Sequence, residues 1–180
     1  MSKILALEGE WENNPKYKIG IGSILKFIEE VTEVDYHHRR VATESDFFFY
    51  LKKGSYKSFS IIYFAFHGER NKIILGNNKH QLTLDEIAEG ASGVLKDKIV
   101  HFGSCSTLKI KKQDLIKFKK VTGAKIVSGY TKDIGFVDSS IFDIAYFTLL
   151  FKYERKAHVD SRMQKDYPGL YKRLGFVFLS

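Results

Sequence analysis

The sequence has little cysteine, little proline and few chain-breaking residues. Its 180 residues include one cysteine, Cys105, two prolines and 14 glycines. One cysteine cannot close a disulfide within the chain, and it cannot assemble a structural zinc site built on cysteines. We therefore expect a reducing compartment, such as the cytoplasm. We also expect no metal site and no cofactor.

Long apolar runs are also missing. Residues 4–7 form an apolar run that is too short for a signal peptide, and Glu8 and Glu10 follow at once. No apolar run in the sequence is long enough to span a bilayer. The sequence therefore predicts a soluble cytoplasmic protein that does not enter a membrane.

The composition is that of one folded unit. Hydrophobic residues make up 44% of the chain, which is enough for a full core, and we expect a single domain over residues 1–180. The net charge of +8 would suit an acidic partner. However, its densest part, residues 109–120, carries apolar residues at helical spacing, which is typical of a solvated helix face. A nucleic-acid partner is therefore not favoured.

Strand-like and helix-like segments alternate along the chain, which predicts an α/β fold with a mainly parallel central sheet flanked by helices. Residues 59–66 are almost continuously apolar and end at His67, as expected for a buried central strand. Residues 72–75 and 79–82 predict a hairpin around residues 76–78, after which Thr83 and Glu86 form a capping box. Residues 98–102 predict the next strand. An amphipathic segment near residues 162–173 and a short strand at 175–179 complete the pattern.

The residues that carry chemistry follow two of these strands. His67 and Gly68 follow the first strand, and Cys105 follows the second, 38 positions after His67. Adjacent parallel strands deliver such residues to one sheet edge, where an imidazole can manage the proton of a thiol nucleophile. Gly68 has no side chain, so its amide can approach a developing oxyanion, and the amide of Cys105 is the second candidate donor.

These two blocks resemble clan CD cysteine peptidases, the caspase-like family that includes metacaspases, separases and bacterial CHAT domains. In that family one apolar strand ends in His-Gly, and a second ends in a small residue followed by Cys. The segments between and after the blocks match the CHAT arrangement, so the resemblance covers residues 59–151. It implies a caspase-like three-layer sandwich and a cysteine endopeptidase with His67 and Cys105 as its catalytic pair.

The resemblance also implies features of the substrate and the biological role. Gly103-Ser104 stands where caspases have Gln-Ala, so selection of aspartate is not expected. In separases and CHAT domains an Asp after the following strand binds a basic substrate side chain. Asp133 and Asp138 lie in the corresponding segment and imply cleavage after a basic residue. CHAT-type proteins further imply bacterial defence or regulated cell death, with a protein partner as substrate or activator.

Further substrate-binding candidates are Ser104, Ser128 and Tyr130, although the last two could equally be turn residues. Asp138 lies near a helix start, where a carboxylate also stabilises free amides. Cys105 could be a buried small side chain, and His67 a histidine bonded only to backbone. The alternative function is a non-catalytic caspase-like module that binds or scaffolds other proteins.

Overall fold

A six-stranded sheet forms the middle layer of the fold. The protein is described by a computed structural model over residues 3–11, 20–76 and 80–180. The sheet order is β2-β1-β3-β7-β8-β9, and every pairing is parallel except that of the last strand. The strands are β1 Ile4–Glu8, β2 Tyr36–Arg40, β3 Ile61–Ala65, β7 Ile99–Phe102, β8 Ile126–Tyr130 and β9 Phe176–Leu179.

A small antiparallel sheet follows β3. Its three strands run in the order β4-β5-β6, and they are β4 His67–Glu69, β5 Lys72–Leu75 and β6 His80–Thr83. The pairing of β5 with β6 confirms the predicted hairpin, whose turn residues Asn77 and Asn78 lie outside the described residues. Thr83 Oγ1 accepts from the Glu86 amide while the Glu86 carboxylate accepts from the Thr83 amide, so the predicted capping box is also confirmed.

Helices cover both faces of the large sheet. They are α1 Gly22–Thr32, α2 Glu44–Lys52, α3 Leu84–Gly90, α4 Lys112–Thr122, α5 Phe136–Lys152, α6 Ala157–Asp166 and α7 Pro168–Leu174. The amphipathic segment predicted near residues 162–173 is two helices, because Pro168 cannot continue α6 and instead begins α7. In the described part of the chain, no helix is both long and apolar enough to cross a bilayer.

The two-residue period of the strands builds a separate core on each face. In β3, Ile62 and Phe64 pack with α2, α3 and α4, whereas Ile61 and Tyr63 pack with α1, α5, α6 and α7. Both faces of the central strands are therefore covered by helices and shielded from water, which explains the continuous apolar runs in the sequence. The result is the predicted three-layer arrangement of helices, sheet and helices.

A buried carboxylate ties three central strands to α5. Asp143 is 1% exposed, and it accepts hydrogen bonds from Tyr63 of β3 at 2.6 Å, from His101 of β7 at 2.9 Å and from Tyr130 of β8. His101 faces away from Phe102, as strand alternation predicts. Burial, together with the charge of Asp143, raises the pKa of Tyr63 and Tyr130 well above the usual value, so both remain neutral donors.

The network extends from His101 through Ser128 to Tyr146. The Ser128 hydroxyl lies 3.0 Å from His101 Nδ1 and 2.8 Å from the Tyr146 hydroxyl, and all three residues are fully buried. Buried polar groups of this kind stabilise a fold only while each has a partner. The network therefore links strand order to helix position.

Loss of the Asp143 carboxylate is expected to lower the free energy of unfolding far more than loss of the Tyr146 hydroxyl at the end of the network. Asp143→Ala leaves three buried donors without an acceptor and should lower the free energy of unfolding by about 3–5 kcal/mol. Tyr146→Phe removes one neutral hydrogen bond and should cost about 1 kcal/mol. Urea unfolding measures both, with Asp143→Asn as the substitute if the alanine variant does not fold. Equal costs for the two positions would contradict a network centred on Asp143.

Candidate active site

The two strands that precede His67 and Cys105 are neighbours in the sheet. Phe64 of β3 is in register with Phe102 of β7, and the Gly103 amide donates to the Phe64 carbonyl at 2.9 Å. The chain then leaves both strands at the same sheet edge, because the strands are parallel. The predicted adjacency of the two strands is confirmed.

A cavity of about 190 Å³ at this edge is lined by both residues. Its other described walls come from the segment after β1, the end of β3, the start of the cysteine loop, and the segment that enters α5. The lining residues are Trp11, Phe66, His67, Gly103, Cys105, Ile134, Phe136 and Ser139. The fold thus places an imidazole and a thiol around one space open to solvent.

Cys105 lies at the surface of this cavity and is partly exposed. Its Sγ is 3.4 Å from the amide nitrogen of Ile134, which donates to it, and 3.6 Å from the Ile134 carbonyl. The backbone of Ile134 therefore holds the thiol at the cavity surface through both its amide and its carbonyl group. The alternative in which Cys105 is a buried core side chain does not describe this structure.

The imidazole of His67 is oriented by Trp11. His67 Nε2 lies 2.8 Å from the Trp11 carbonyl oxygen, and the two rings meet edge to face with centroids 5.3 Å apart. A carbonyl can only accept, so in the neutral ring Nε2 carries the hydrogen and Nδ1 has the free lone pair. One ring nitrogen is therefore available as a base, and the other is held in place.

The loop that carries Cys105 is anchored on β4 and on the segment after β8. A Cβ on Gly68 would lie 2.6 Å from the Cys105 carbonyl oxygen, so only glycine lets β4 pack this closely. Ser106 has a left-handed backbone with φ of 43°, and its hydroxyl donates to Asp133 at 2.9 Å. Non-glycine residues in this region are held by their surroundings and occur often at functional sites.

A buried carboxylate stands behind Trp11. Glu8, the last residue of β1, is 0% exposed and accepts hydrogen bonds from Trp11 Nε1, from the Ile21 amide at 2.8 Å and from His38 Nε2 at 2.6 Å. Burial by itself raises the Glu8 pKa, but the hydrogen bonds from His38, Trp11 and the Ile21 amide outweigh it, so the pKa lies below its usual value. Glu8 thus holds the indole ring of Trp11, the residue whose backbone carbonyl orients His67.

One protein family accounts for almost the whole chain. The family model described as "Family of unknown function (DUF6642)" matches residues 2–179. The chain belongs to DUF6642. No curated protein matches the sequence of this family member.

Solved structures place the DUF6642 chain in a known fold. It is similar to the crystal structure of the Drosophila initiator caspase Dronc, with a TM-score of 0.53 and 8% sequence identity. The similarity covers 99% of this chain and 79% of that chain. The predicted caspase-like fold is therefore confirmed, while the narrower resemblance to CHAT domains stays a prediction.

Three of the predicted substrate-binding residues lie elsewhere in the DUF6642 chain. Ser128 and Tyr130 are fully buried in β8, where they belong to the Asp143 network. Ser104 is 1% exposed, and its hydroxyl lies 2.8 Å from Thr107 Oγ1 inside the loop. None of the three therefore lines the cavity shared by His67 and Cys105, because β8 extends to Tyr130 and turns Ser128 and Tyr130 into the core, while Ser104 is bonded inside its own loop.

Asp133 and Asp138, whose carboxylates were expected to select a basic substrate residue, also lie outside the cavity lining. Asp133 accepts from Ser106, and Asp138 lies in the first turn of α5 and pairs with Arg173 at 2.8 Å. Neither lines the cavity shared by His67 and Cys105. Asp138 therefore has the helix-start position given as its alternative, and the basis for a preference for basic residues is absent from the cavity wall.

Sequence reasoning missed the apolar walls of the site. Trp11 follows β1, which pairs with β3, so the strand-end rule applied to Cys105 would also have selected Trp11. Ile134 and Phe136 carry no such signal, since they are ordinary apolar residues, one between β8 and α5 and the other at the first position of α5. Within the described ranges, no group of three or more His, Cys, Asp or Glu residues is arranged to hold a metal ion.

Replacement of Glu8 is expected to change the acid sensitivity of the fold. Because the folded pKa of Glu8 lies below the usual 4.5, its contribution is present above that value and is lost as the pH falls through the folded pKa. Glu8→Gln should cost about 2 kcal/mol of unfolding free energy at pH 7, and the difference should shrink toward zero in acid. Urea unfolding from pH 7 to pH 3 measures this. Glu10→Gln, at an exposed position, is the matched control, and parallel pH profiles for Glu8→Gln and wild type would refute the assignment.

Proposed function

We propose that this chain is a cysteine endopeptidase in which Cys105 is the nucleophile and His67 the general base and acid. The observation that supports it is the cavity lined by both side chains at the carboxyl edge of parallel strands. The caspase-like fold and the His-Gly and Cys blocks of the sequence agree with this proposal. The substrate would be a protein or peptide.

The first half of the proposed reaction forms a thioester. His67 Nδ1 accepts the proton of Cys105, and the sulfur attacks the carbonyl carbon of the substrate, which forms an S–C bond and leaves negative charge on oxygen. The amides of Gly68 and Cys105 are the proposed donors to that oxygen. As the carbonyl forms again, the C–N bond breaks, and His67 returns the proton to the leaving amine.

The second half releases the product. A water molecule gives a proton to His67 while its oxygen attacks the thioester carbonyl. The S–C bond then breaks, a carboxylic acid leaves, and the proton on His67 returns to sulfur. The hydrogen bond from His67 Nε2 to the Trp11 carbonyl keeps the imidazole in one orientation throughout, which is the usual task of a third residue beside a catalytic pair.

The CHAT resemblance extends this proposal to a role. We infer a peptidase of bacterial defence or regulated cell death, whose partner protein is its substrate or its activator.

Substitution of the proposed pair tests the reaction. Cys105→Ala should abolish cleavage of a mixed peptide library and labelling by thiol-reactive peptide inhibitors, because the nucleophile is gone. His67→Ala should lower the rate about 10²- to 10⁴-fold. His158→Ala, which removes an exposed histidine outside the cavity, should leave both unchanged. Mass spectrometry of the peptides and of the labelled protein gives the readout.

Two results would count against the peptidase. Cleavage that persists in Cys105→Ala would exclude Cys105 as the nucleophile. A wild-type chain that neither cleaves any peptide nor reacts with the inhibitors would favour the alternative of a caspase-like binding or scaffolding module.

A further inference from the structure

The space around Cys105 Sγ is where the substrate residue that is attacked must lie. Reacting atoms approach to about 3–3.5 Å before bond formation, so the attacked carbonyl carbon sits beside the sulfur. The side chain of the same residue begins one bond from that carbon. In the proposed reaction it therefore enters the cavity lined by Cys105 and His67, or its rim.

The described walls of this cavity are apolar and aromatic. Trp11 and Phe136 meet edge to face with centroids 5.8 Å apart, and Phe66 and Ile134 complete the apolar surface. Gly103 contributes no side chain, and a Cβ there would lie 2.5 Å from the Tyr63 ring. These walls remove apolar surface from water when an apolar side chain fills the space.

The described lining contains no Asp, Glu, Lys or Arg. Four acidic residues of the adjoining segments have other partners: Glu8 bonds to Trp11 and His38, Glu69 to Lys72, Asp133 to Ser106, and Asp138 to Arg173. Glu10, next to Trp11, is exposed. A lysine or arginine side chain would lose water in this cavity and gain no counter-charge from these walls, and an aspartate would meet neither a lysine nor an arginine there. Burial of an unpaired charge is strongly unfavourable.

The polar groups of the wall are also committed. Ser139 Oγ lies 3.1 Å from the carbonyl oxygens of both Gly135 and Phe136, so its hydrogen is directed back into α5. His67 Nε2 is held by the Trp11 carbonyl, and the Ile134 amide donates to Cys105 Sγ. A polar substrate side chain would therefore find few partners here.

The size of the cavity fits a large apolar side chain. An apolar cavity of about 150 Å³ holds benzene, and this one measures about 190 Å³. Leucine, methionine and phenylalanine side chains are of that size. Contacts of Trp11 with both His67 and Phe136 keep the wall in place, so the space is preformed.

From these observations we infer that the site selects a large apolar residue, such as leucine, methionine or phenylalanine, on the amino side of the cleaved bond. This inference rests on the proposed peptidase activity and specifies its substrate class. It replaces the basic residue expected from Asp133 and Asp138.

Peptides that differ only at the residue before the cleaved bond test the inference on the full chain. Peptides with Leu, Met or Phe there should be cleaved with kcat/KM at least about tenfold above those with Arg, Lys or Asp. All cleavage should disappear in Cys105→Ala. If Arg, Lys or Asp peptides are preferred and Cys105→Ala is inactive, the peptidase stands and the apolar selection is overturned.

A charge placed in the wall should shift the preference. Phe136→Glu puts a carboxylate in the cavity lining at the first residue of α5, where the helix start tolerates negative charge. The variant should lower the ratio of kcat/KM for the Leu peptide to kcat/KM for the Arg peptide by at least about tenfold. Val137→Glu adds the same charge one residue later, at a side chain that is 70% exposed and outside the lining, and should keep the ratio. Equal ratios in both variants would contradict the assignment of this cavity.

A binding measurement separates failure of the inference from failure of the chemistry. Trp11 is the only tryptophan of the chain and lines the cavity, so its fluorescence reports occupancy even in Cys105→Ala. Peptides with Leu, Met or Phe at the test position should bind that variant more tightly and change Trp11 emission. If no peptide is cleaved by wild type, this preference still supports apolar selection. Equal or tighter binding of the Arg and Asp peptides overturns it.

Discussion

The Asp143 carboxylate is the constraint on which the geometry of this site depends. It accepts hydrogen bonds from side chains on β3, β7 and β8, which are the three strands whose ends carry His67, Cys105 and the Ile134 segment. The network lies on one face of the sheet, while the other face is filled by apolar packing. A shift of any one strand would leave a buried donor unpaired, so the relative position of the strand ends is fixed by a polar interaction with little tolerance.

This constraint reaches the cysteine loop through Tyr63. The hydroxyl of Tyr63 donates to Asp143, and its ring packs under Gly103, where no Cβ fits. The loop then closes on Gly68 from the other side. Two glycines therefore mark the places where backbone meets the packed interior, and Cys105 lies in the loop between them with its thiol bonded to the backbone of Ile134.

The parts of the fold that follow from periodicity were predictable from the sequence. The run at residues 59–66 is apolar on both faces because β3 is central, and its end at His67 follows from the same pattern. The direction of a side chain near a strand end is less accessible to sequence reasoning. In the sequence, Ser128 and Tyr130 are substrate-binding candidates at a strand end, with turn residues as the alternative. However, β8 continues through both, and strand alternation directs them to the Asp143 network.

The acidic residues after β8 show the same limit of sequence-based prediction. Asp133 and Asp138 follow β8 as a substrate-binding acid would, but their partners, Ser106 and Arg173, come from distant parts of the chain. Hydrogen bonds between segments 27 and 35 residues apart leave no periodic signal in the sequence. Strand order could be inferred from local patterns, whereas the environment of a loop carboxylate required the tertiary structure.

Trp11 joins the recognition and the chemistry of the proposed site. Its carbonyl holds His67, its ring forms a wall of the cavity, and its indole N–H is bound by Glu8. In the proposed complex, a substrate side chain that fills the cavity packs on the Trp11 ring, and the backbone carbonyl of the same residue orients the imidazole. Binding energy gained on that wall is therefore available to fix the geometry of the base, which is how contacts away from the reacting atoms contribute to a rate. In the proposed site both roles depend on the position of Trp11, which the fully buried Glu8 carboxylate holds through the indole N–H.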